Sequence, residues 1–375
     1  MIIDCDSHLF EPVDMWARYA DRADRDVAMR IATDDLGYSW LMCGDQRLTL
    51  AEPHTPGKVD GIGEYRQRML QGLPSTLNYP EFAAAYSDPG AVLAHLDAVG
   101  FDAAVLFPNY GIVFERPLAD DLRATLTNMA AWNRWIADVA AVGGGRLHPV
   151  AHVTLRDLPW LETQLAALSA AGIRLALMAP ALVDDRPLSD PSLARAWAAF
   201  VDHGITPVFH VGNQARPFAD AWYGEDLPGG VSPLNTIFIW TAAALAITDL
   251  ILNGVLERHP DLRIGVMELS ATWVPLHLQL MDGGRRFTAR FNGEASPLSM
   301  IPSDYFRRQI RVAAFPQEQP DLLMQRSGDL FMACSDYPHT EGTDTPFADY
   351  AAVGASPASS PGFFGDNVAF LLRQS

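Results

Sequence analysis

The sequence predicts an α/β fold. We expect a distorted (β/α)8 TIM barrel that forms a single domain over residues 1–375 and carries an N-terminal insertion or cap at residues 30–79. Eight short apolar runs alternate with helix-like segments, which indicates a parallel sheet. Ionisable residues stand at the ends of four of these runs, where barrel enzymes place their chemistry. No Gly-x-Gly-x-x-Gly turn follows the first run, so a dinucleotide-binding fold is the weaker alternative.

The apolar runs and the segments between them set the expected element order. The predicted strands cover residues 2–3, 101–108, 147–153, 173–178, 206–211, 263–269, 309–314 and 330–334. The predicted helices cover residues 118–142, 158–171, 190–203, an apolar stretch ending near 257, 273–281 and 363–372. Residues 30–79 interrupt the first unit, and we expect a hairpin at 38–50 that turns at Gly44 and Asp45.

Charge and cysteine content restrict the function classes. The formal net charge is −18 and the pI is about 4.8, which argues against binding to nucleic acid or anionic membranes. Three cysteines (Cys5, Cys43 and Cys334) give no disulfide framework and indicate a reducing compartment. No signal-peptide pattern opens the chain, and the apolar run 237–247 is too short to cross a bilayer. We therefore expect a cytoplasmic enzyme that acts on a small molecule.

The first strand ends in an unusual cluster of polar residues. Asp4, Asp6 and His8 share strand parity, so strict alternation predicts that they point to one side and Cys5 to the other. Glu11 follows closely behind them. A buried carboxylate without a partner costs several kcal/mol, which a cation between several such groups would offset.

Three later strands also end in ionisable residues. His210 ends the fifth predicted strand, Glu268 the sixth, and Asp336 the eighth, with His339 just after it. In a barrel these ends meet at one mouth, so Asp6, His8, His210 and Asp336 could converge on one centre. Imidazole and carboxylate ligands without thiolate suit Zn, Mn or Fe. Each residue alone also has an ordinary structural explanation; their combination favours a metal site.

Several motifs together resemble one known family. They are DCDSHLFEP, VFHVG, GVLERHPDLRIGVMELSATWVP, SDYPHTEG and GFFGDNVAFLL, and they extend from residue 4 to residue 372. The resemblance is to the amidohydrolase superfamily, in the amidohydrolase-2 branch that contains aminocarboxymuconate semialdehyde decarboxylase. It implies a distorted barrel with a divalent metal at its mouth. Asp6, His8, His210 and Asp336 stand at the positions of the family's ligands.

One departure from the family pattern affects the expected chemistry. Relatives often carry a histidine at the end of the sixth strand, where this chain has Glu268. Glu268 could therefore act as an acid or base, with Asp336 as a proton acceptor. Alternatively, Glu268 with Glu11 or His339 could hold a second ion or support the first. Arg311 on the seventh strand is a candidate for binding a substrate carboxylate.

Three classes of function remain open at this point. The first is a metal-dependent hydrolase or decarboxylase that acts on a small, carboxylate-bearing substrate. The second is a dinuclear Fe or Mn oxygenase on the same fold. The third is a partner subunit with a structural metal. Relatives often pair through helices outside the barrel, so we also expect a homodimer, or pairing with a related subunit, through residues 235–255. Sequence leaves the substrate, the metal and the number of ions open.

Overall fold

The computed structural model describes residues 1–214, 217–222, 232–292 and 297–374. Strands and helices alternate along most of the chain. The strands are β1 (Ile3–Leu9), β2 (Met29–Thr33), β3 (Ser39–Cys43), β4 (Gln46–Leu50), β5 (Ala103–Pro108), β6 (Leu147–Pro149), β7 (Ala151–His152), β8 (Leu175–Leu177), β9 (Thr206–Phe209), β10 (Ile264–Val266), β11 (Ile310–Ala314) and β12 (Phe331–Ala333). Each of the eight predicted strands is confirmed, and one of them, residues 147–153, is divided into β6 and β7.

The parallel strands form two sheets with a TIM-barrel-like order. One sheet has the order β1-β5-β6 and the other β12-β11-β10-β9-β8-β7. Val150 separates β6 from β7, so consecutive residues join the two sheets there. After β12, an isolated parallel bridge pairs Ser7 with Tyr337, and the Asp336 amide donates to the Asp6 carbonyl at 2.8 Å. Within the described residues the ladder is thus interrupted at two places, and a closed eight-stranded barrel is not seen.

An irregularity in β1 decides which residues face the interior. The β1–β5 register shifts between Asp4 and Ser7. Cys5 packs in the inner apolar cluster, and Asp6 approaches His210 from β9. Asp4 instead accepts hydrogen bonds from the Ser335 amide and hydroxyl. Strict alternation, which put Asp4 with Asp6 and opposite Cys5, is therefore wrong here, because a bulge adds a residue to one strand of the pair.

Helices cover the outside of the sheets. Their bounds are Met15–Tyr19, Val59–Leu70, Tyr79–Ser87, Pro89–Val99, Leu122–Gly143, Leu158–Ala170, Ala194–Asp202, Pro233–Ile237, Thr241–Leu252, Val255–Arg258, Val274–Asn292, Pro302–Gln309, Pro320–Ser327, Pro346–Ala352 and Asn367–Leu371. Short 3-10 turns lie at Arg22–Val27, Tyr110–Ile112, Pro191–Leu193, Asp220–Trp222 and Pro316–Glu318, and a π-helical turn at Gly362–Asp366.

Most predicted helices are present with shifted ends. The one predicted at 118–142 begins at Leu122, because the Asp121 side chain caps it by accepting from the Ala124 amide at 2.9 Å. The apolar stretch ending near 257 is three helices rather than one. The last of these starts after Gly254, whose φ of 74° ends the preceding helix.

The apolar stretch that ends near residue 257 contains a candidate for a membrane-spanning helix. Within the described residues, Pro233–Leu252 is the one segment that is both long enough and apolar enough, with a mean hydropathy of 1.6. In the structure it is divided into Pro233–Ile237 and Thr241–Leu252, and Ala243, Ile247 and Leu250 on the second helix are fully buried. A core helix of a folded protein passes the same test.

The hairpin expected within residues 30–79 is confirmed. Strands β3 and β4 pair antiparallel across Gly44, which has a φ of 55°, and β2 adds a third strand. The segment also reaches the strand ends: the Tyr110 hydroxyl donates to the Glu52 carbonyl, and the rings of His54 and His339 lie 4.7 Å apart. Its role as a cap stays a prediction.

Asn133 completes the hydrogen bonding of β7, next to the interruption at Val150. Its Oδ1 accepts from the His152 amide at 2.8 Å, and its Nδ2 donates to the His152 carbonyl at 3.0 Å. We expect Asn133→Ala to lower the free energy of unfolding by about 2–4 kcal/mol, because two buried backbone groups lose their partner. Urea unfolding measures this. Asn78→Ala, at an exposed helix start without a side-chain cap, is the control. A loss equal to that of the control would contradict the role of Asn133.

Candidate metal centre

Four strand ends bring ionisable side chains together. Asp6 and His8 lie on β1, His210 directly follows β9, and Asp336 follows β12. These four residues are at most 2 % exposed. Glu268 follows β10, and its side chain is 12 % exposed. The structure therefore brings together the four predicted ligands and Glu268.

The carboxylates and imidazoles face one another at short range. His210 Nε2 lies 3.4 Å from Asp6 Oδ1 and 3.3 Å from Glu268 Oε2. His8 Nε2 lies 3.1 Å from Asp336 Oδ1 and 3.7 Å from Asp6 Oδ1. Asp6 Oδ1 thus links the two histidines across the centre.

Backbone carbonyls orient both imidazoles. His8 Nδ1 lies 3.0 Å from the Pro108 carbonyl, and His210 Nδ1 lies 2.9 Å from the Val211 carbonyl. A carbonyl can only accept, so each Nδ1 carries the proton and each Nε2 presents a lone pair to the centre. Such carbonyl contacts are the usual outer partners of metal-bound histidines.

The central atoms lack hydrogen-bond partners. Both carboxylate oxygens of Asp6 and of Asp336, both Nε2 atoms, and Glu268 Oε2 are buried and complete no hydrogen bond. Buried polar atoms without partners are costly, and each such group requires an explanation. A divalent cation would satisfy all of them at once. The nitrogen and oxygen donors, without thiolate, fit Zn, Mn or Fe.

Backbone conformation helps to aim the carboxylates. Glu268, Ser270 and Asp336 have φ values of 48°, 58° and 53°, in the left-handed region that side chains other than glycine rarely adopt. Each such residue costs of order 1–3 kcal/mol, which the surrounding structure must offset. The strain lies at two of the three strand ends that supply acidic groups to the centre, those of β10 and β12.

Burial shifts the acid–base properties of the centre. Burial and the neighbouring His339 and His210 lower the pKa of His8 well below its usual value. Burial, with the charge of Asp336, raises the pKa of Glu268 well above its usual value. Burial lowers the pKa of His210, but the Asp6 and Glu268 carboxylates and the Val211 carbonyl together raise it above its usual value. Burial thus disfavours charge on His8 and Glu268, while the neighbouring carboxylates favour the charged form of His210.

Two overlapping groups could each hold an ion. Asp6, His8 and His210 form one, and His8, Glu268, Asp336 and His339 form the other, with the ligand atoms in each within 4.8 Å of one another. His8 belongs to both.

A family model for amidohydrolases matches residues 81–373, more than three quarters of the chain. The chain belongs to the amidohydrolase family. A search of curated proteins found no match.

Solved structures share the fold of this amidohydrolase. An amidohydrolase from Mycobacterium avium subsp. paratuberculosis K-10 has a TM-score of 0.79 at 23 % identity, over 99 % of this chain and 98 % of the other. A 5-carboxyvanillate decarboxylase from Novosphingobium aromaticivorans DSM 12444, with bound manganese, has a TM-score of 0.67 at 18 % identity, over 100 % and 97 %. A dihydroxybenzoic acid decarboxylase from Polaromonas sp. JS666, also with manganese, has a TM-score of 0.61 at 14 % identity, over 83 % and 93 %.

His339 lies beside the predicted ligands of the amidohydrolase. Its Nδ1 is 3.0 Å from Asp336 Oδ1, and its Nε2 is 2.9 Å from Asn109 Oδ1. Its ring stacks on that of His8 with the centroids 3.6 Å apart. These contacts suit either a ligand of a second ion or a residue that positions Asp336 and His8.

Glu11 lies outside both groups, contrary to its candidacy for the second ion. Its carboxylate accepts hydrogen bonds from the amides of Asn109, Tyr110 and Gly111 at 3.1, 3.1 and 2.8 Å. Burial raises its pKa to about 7. Glu11 thus fixes the loop after β5 that carries Asn109, the partner of His339.

Arg311 also lies away from the centre, which argues against its predicted role in substrate binding. It stands near the amino-terminal end of β11, whereas the site is built at carboxyl-terminal ends. Its Nε donates to Asn367 Oδ1 at 2.6 Å, and its guanidinium lies 4.3 Å from the centre of the Phe370 ring. Arg311 therefore fastens the C-terminal helix to the sheet.

Sequence reasoning gave no role to two residues around the centre. Asp4 ties β1 to Ser335, next to Asp336, and its position two residues before Asp6 was the available signal. His54 comes from the inserted segment, and its ring packs near His339. No local pattern places a residue of a long insertion, so His54 left no signal.

The centre makes a direct prediction about metal content. We expect Asp6→Asn and His210→Ala to retain at most about a tenth of the metal held by the unmodified chain, because each removes a buried donor. Mass spectrometry of metals in the purified protein measures this. His203→Ala, at a helix end away from the centre, is the control. Unchanged metal in both ligand variants would contradict the site.

Proposed function

We propose that this amidohydrolase is a metal-dependent decarboxylase of a small carboxylic acid. The observation that carries the proposal is the set of buried donor atoms without hydrogen-bond partners on Asp6, His8, His210 and Asp336. These four residues would hold the ion. When bound, a divalent ion would act as a Lewis acid toward a substrate carboxylate and a neighbouring oxygen.

A cavity beside His210 supports a carboxylate substrate. It has a volume of about 260 Å³, and its lining includes Arg116, Val211, Gly212, Phe238 and Ile239. The guanidinium of Arg116 makes no hydrogen bond or ion pair within the described part of the chain. Arg116 is exposed, and a guanidinium binds a carboxylate with two parallel hydrogen bonds, so Arg116 is our candidate for holding the carboxylate of a substrate.

Glu268 is the proposed proton donor. In decarboxylation the bond between carbon and the carboxyl group breaks, CO2 leaves, and the electron pair left on carbon takes a proton. Glu268 lies next to His210, and burial, with the charge of Asp336, favours its protonated carboxyl by raising its pKa. The decarboxylases of similar fold favour this reaction over hydrolysis, in which the same residue would act on water.

A second candidate function rests on the two overlapping groups around His8. If Glu268 and His339 hold a second ion, the centre becomes dinuclear, and an Fe- or Mn-dependent oxygenase is the alternative. Such a reaction consumes O₂, whereas decarboxylation does not.

Activity assays separate these candidates. The purified enzyme, loaded with manganese or zinc, is given a panel of hydroxylated aromatic carboxylic acids, simple amides and lactones. We expect release of CO2 from a carboxylic acid at the same rate in air and under argon. Cleavage of amides or lactones without CO2 would favour hydrolysis, and turnover that requires O₂ would favour the oxygenase.

Glu268→Gln tests the proton donor. We expect kcat to fall by about 10²–10⁴-fold with metal content unchanged, because the amide cannot deliver a proton. Loss of metal together with activity would instead make Glu268 a ligand. His203→Ala again serves as the control, because it is purified and loaded with metal in the same way.

Arg116→Gln tests the anion site. We expect KM for the carboxylate substrate to rise about 10–100-fold while kcat changes little, because the guanidinium contributes to binding rather than to bond breaking. Arg326→Gln removes an exposed arginine from the helix Pro320–Ser327 and provides the matched control. Equal KM values for the two variants would show that Arg116 does not bind the substrate carboxylate.

A further inference from the structure

A buried histidine and a glutamate face each other outside the candidate centre. His152 ends β7 and is 1 % exposed, and the side chain of Glu115, in the loop after β5, is 13 % exposed. Within the described part of the chain, neither His152 Nε2 nor Glu115 Oε2 completes a hydrogen bond, although both atoms are buried. Neither residue belongs to the two groups of ligands at the centre. This pair is therefore a second place where buried polar atoms require an explanation.

The two atoms are too far apart to satisfy each other. His152 Nε2 lies 3.8 Å from Glu115 Oε2. A charge-assisted hydrogen bond between an imidazolium and a carboxylate would bring nitrogen and oxygen to about 2.7–2.9 Å. An ionised carboxylate can only accept, and a neutral imidazole can present a second acceptor at Nε2. Two acceptors that face each other need a cation or a donor between them.

The spacing of the pair is close to that of the ligand atoms at the candidate centre. There, His210 Nε2 lies 3.4 Å and His8 Nε2 lies 3.7 Å from Asp6 Oδ1. A nitrogen and an oxygen that each lie about 2.1 Å from one ion are about 3.4 Å apart at a tetrahedral angle, and further apart at wider angles. Small side-chain movements would therefore bring both atoms of the pair within reach of one ion. Imidazole and carboxylate donors suit zinc, manganese or iron.

The fold holds both side chains in place. Asn133 fixes the backbone of His152, because it bonds to the His152 amide at 2.8 Å and to the His152 carbonyl at 3.0 Å. The ring of Phe114, which precedes Glu115, meets the His152 imidazole edge to face, with the ring centroids 5.1 Å apart. Ligands that are already positioned lose little conformational freedom when an ion binds.

A small cavity provides room for water ligands. It has a volume of about 40 Å³, and its lining includes Glu115, Thr154, Met178 and Ala179. Because one water needs roughly 10–15 Å³ of such volume, the cavity can hold about three. An ion with two protein ligands needs at least two more ligands to reach four-fold coordination. The cavity can supply them as water.

The charges around the cavity also suit a cation. Arg156 lines the same cavity, but its Nε donates to Asp184 Oδ1 at 2.9 Å, so the charge of this arginine is offset by a carboxylate. Glu115 has no arginine or lysine within ion-pair distance among the residues that the structure describes. Its carboxylate therefore has room for a positive charge that the described side chains do not supply.

From these observations we propose that His152 and Glu115 form a separate metal site, which binds a divalent transition-metal ion such as zinc with water completing the coordination. Two protein ligands make this site weaker than the candidate centre, so it fills at higher metal concentration. A bound ion would join the loop after β5 to the end of β7. The proposal does not depend on which reaction the centre performs.

Equilibrium dialysis of the full chain against zinc tests the site. Once the centre is saturated, we expect the unmodified protein to take up one further equivalent at micromolar zinc. We expect His152→Gln and Glu115→Gln each to lose this equivalent and to keep the tightly bound metal, because each removes one of two ligands. His148→Gln, at a half-buried histidine on β6, is the matched control and should keep both. No further uptake by the unmodified chain, or undiminished uptake by both ligand variants, would overturn the proposal.

Asp6→Asn separates this site from the candidate centre. The variant lacks a proposed ligand of the centre but retains both residues of the pair. We expect it to lose the tightly bound metal and to keep the weaker equivalent. Loss of both would assign the weaker equivalent to the centre, and the proposal would then be wrong.

Crystals of the unmodified protein, soaked in zinc, test the site even if the glutamine variants fail to fold. We expect a peak of anomalous scattering at the zinc absorption edge between His152 Nε2 and Glu115 Oε2. Electron density at that position without an anomalous signal would show that the pair holds only a water molecule. That result, or the absence of any density there, would rule out the metal site.

Discussion

The structure around the barrel mouth depends on a set of buried ionisable groups whose central atoms have no hydrogen-bond partners. Asp6 and Asp336 bring carboxylates into a space where His8 and His210 present lone pairs, and none of the central atoms completes a hydrogen bond. Such an arrangement is unfavourable by itself, since burial disfavours charge and unpaired polar atoms cost free energy. A bound cation turns the same atoms into a favourable set. The stability of the mouth and the proposed chemistry therefore depend on one interaction.

A second layer of ordinary hydrogen bonds holds that set in position. Asp4 on β1 accepts a hydrogen bond from the Ser335 amide in the turn after β12. Glu11 accepts hydrogen bonds from three amides of the loop after β5. These two carboxylates have their partners, and Asp6, between them in sequence, has none. The contrast separates structural acids from candidate ligands more sharply than burial does, because all three are almost completely buried.

Sequence predicted the strands and the four converging ligands because both leave local patterns. An apolar run marks a strand, and its end marks the mouth of the sheet. Glu11 and Arg311 lie away from the central atoms for a different reason. The interpretation of each residue depended on which end of a strand, or which side of a bulge, its side chain occupies. The register shift between Asp4 and Ser7 cannot be recognised from the amino-acid composition. His54 was not predicted, because no local sequence pattern shows where an inserted segment lies in the fold.

Two kinds of carboxyl group are buried at this centre, and their functions require opposite protonation states. Ligand carboxylates must be deprotonated, whereas a proton donor must keep its proton. Burial, with the charges of neighbouring carboxylates, raises the pKa of Asp336 and of Glu268. A cation favours the charged form of the carboxylates it touches and affects a more distant one less. Glu268 is separated from Asp6 by His210 and is the more exposed of the acids at the centre. If an ion is held by Asp6, His8, His210 and Asp336 without contacting Glu268, the raised pKa of Glu268 favours its protonated form; an ion that binds Glu268 would favour the carboxylate. The number of ions thus decides whether this residue is an acid or a ligand.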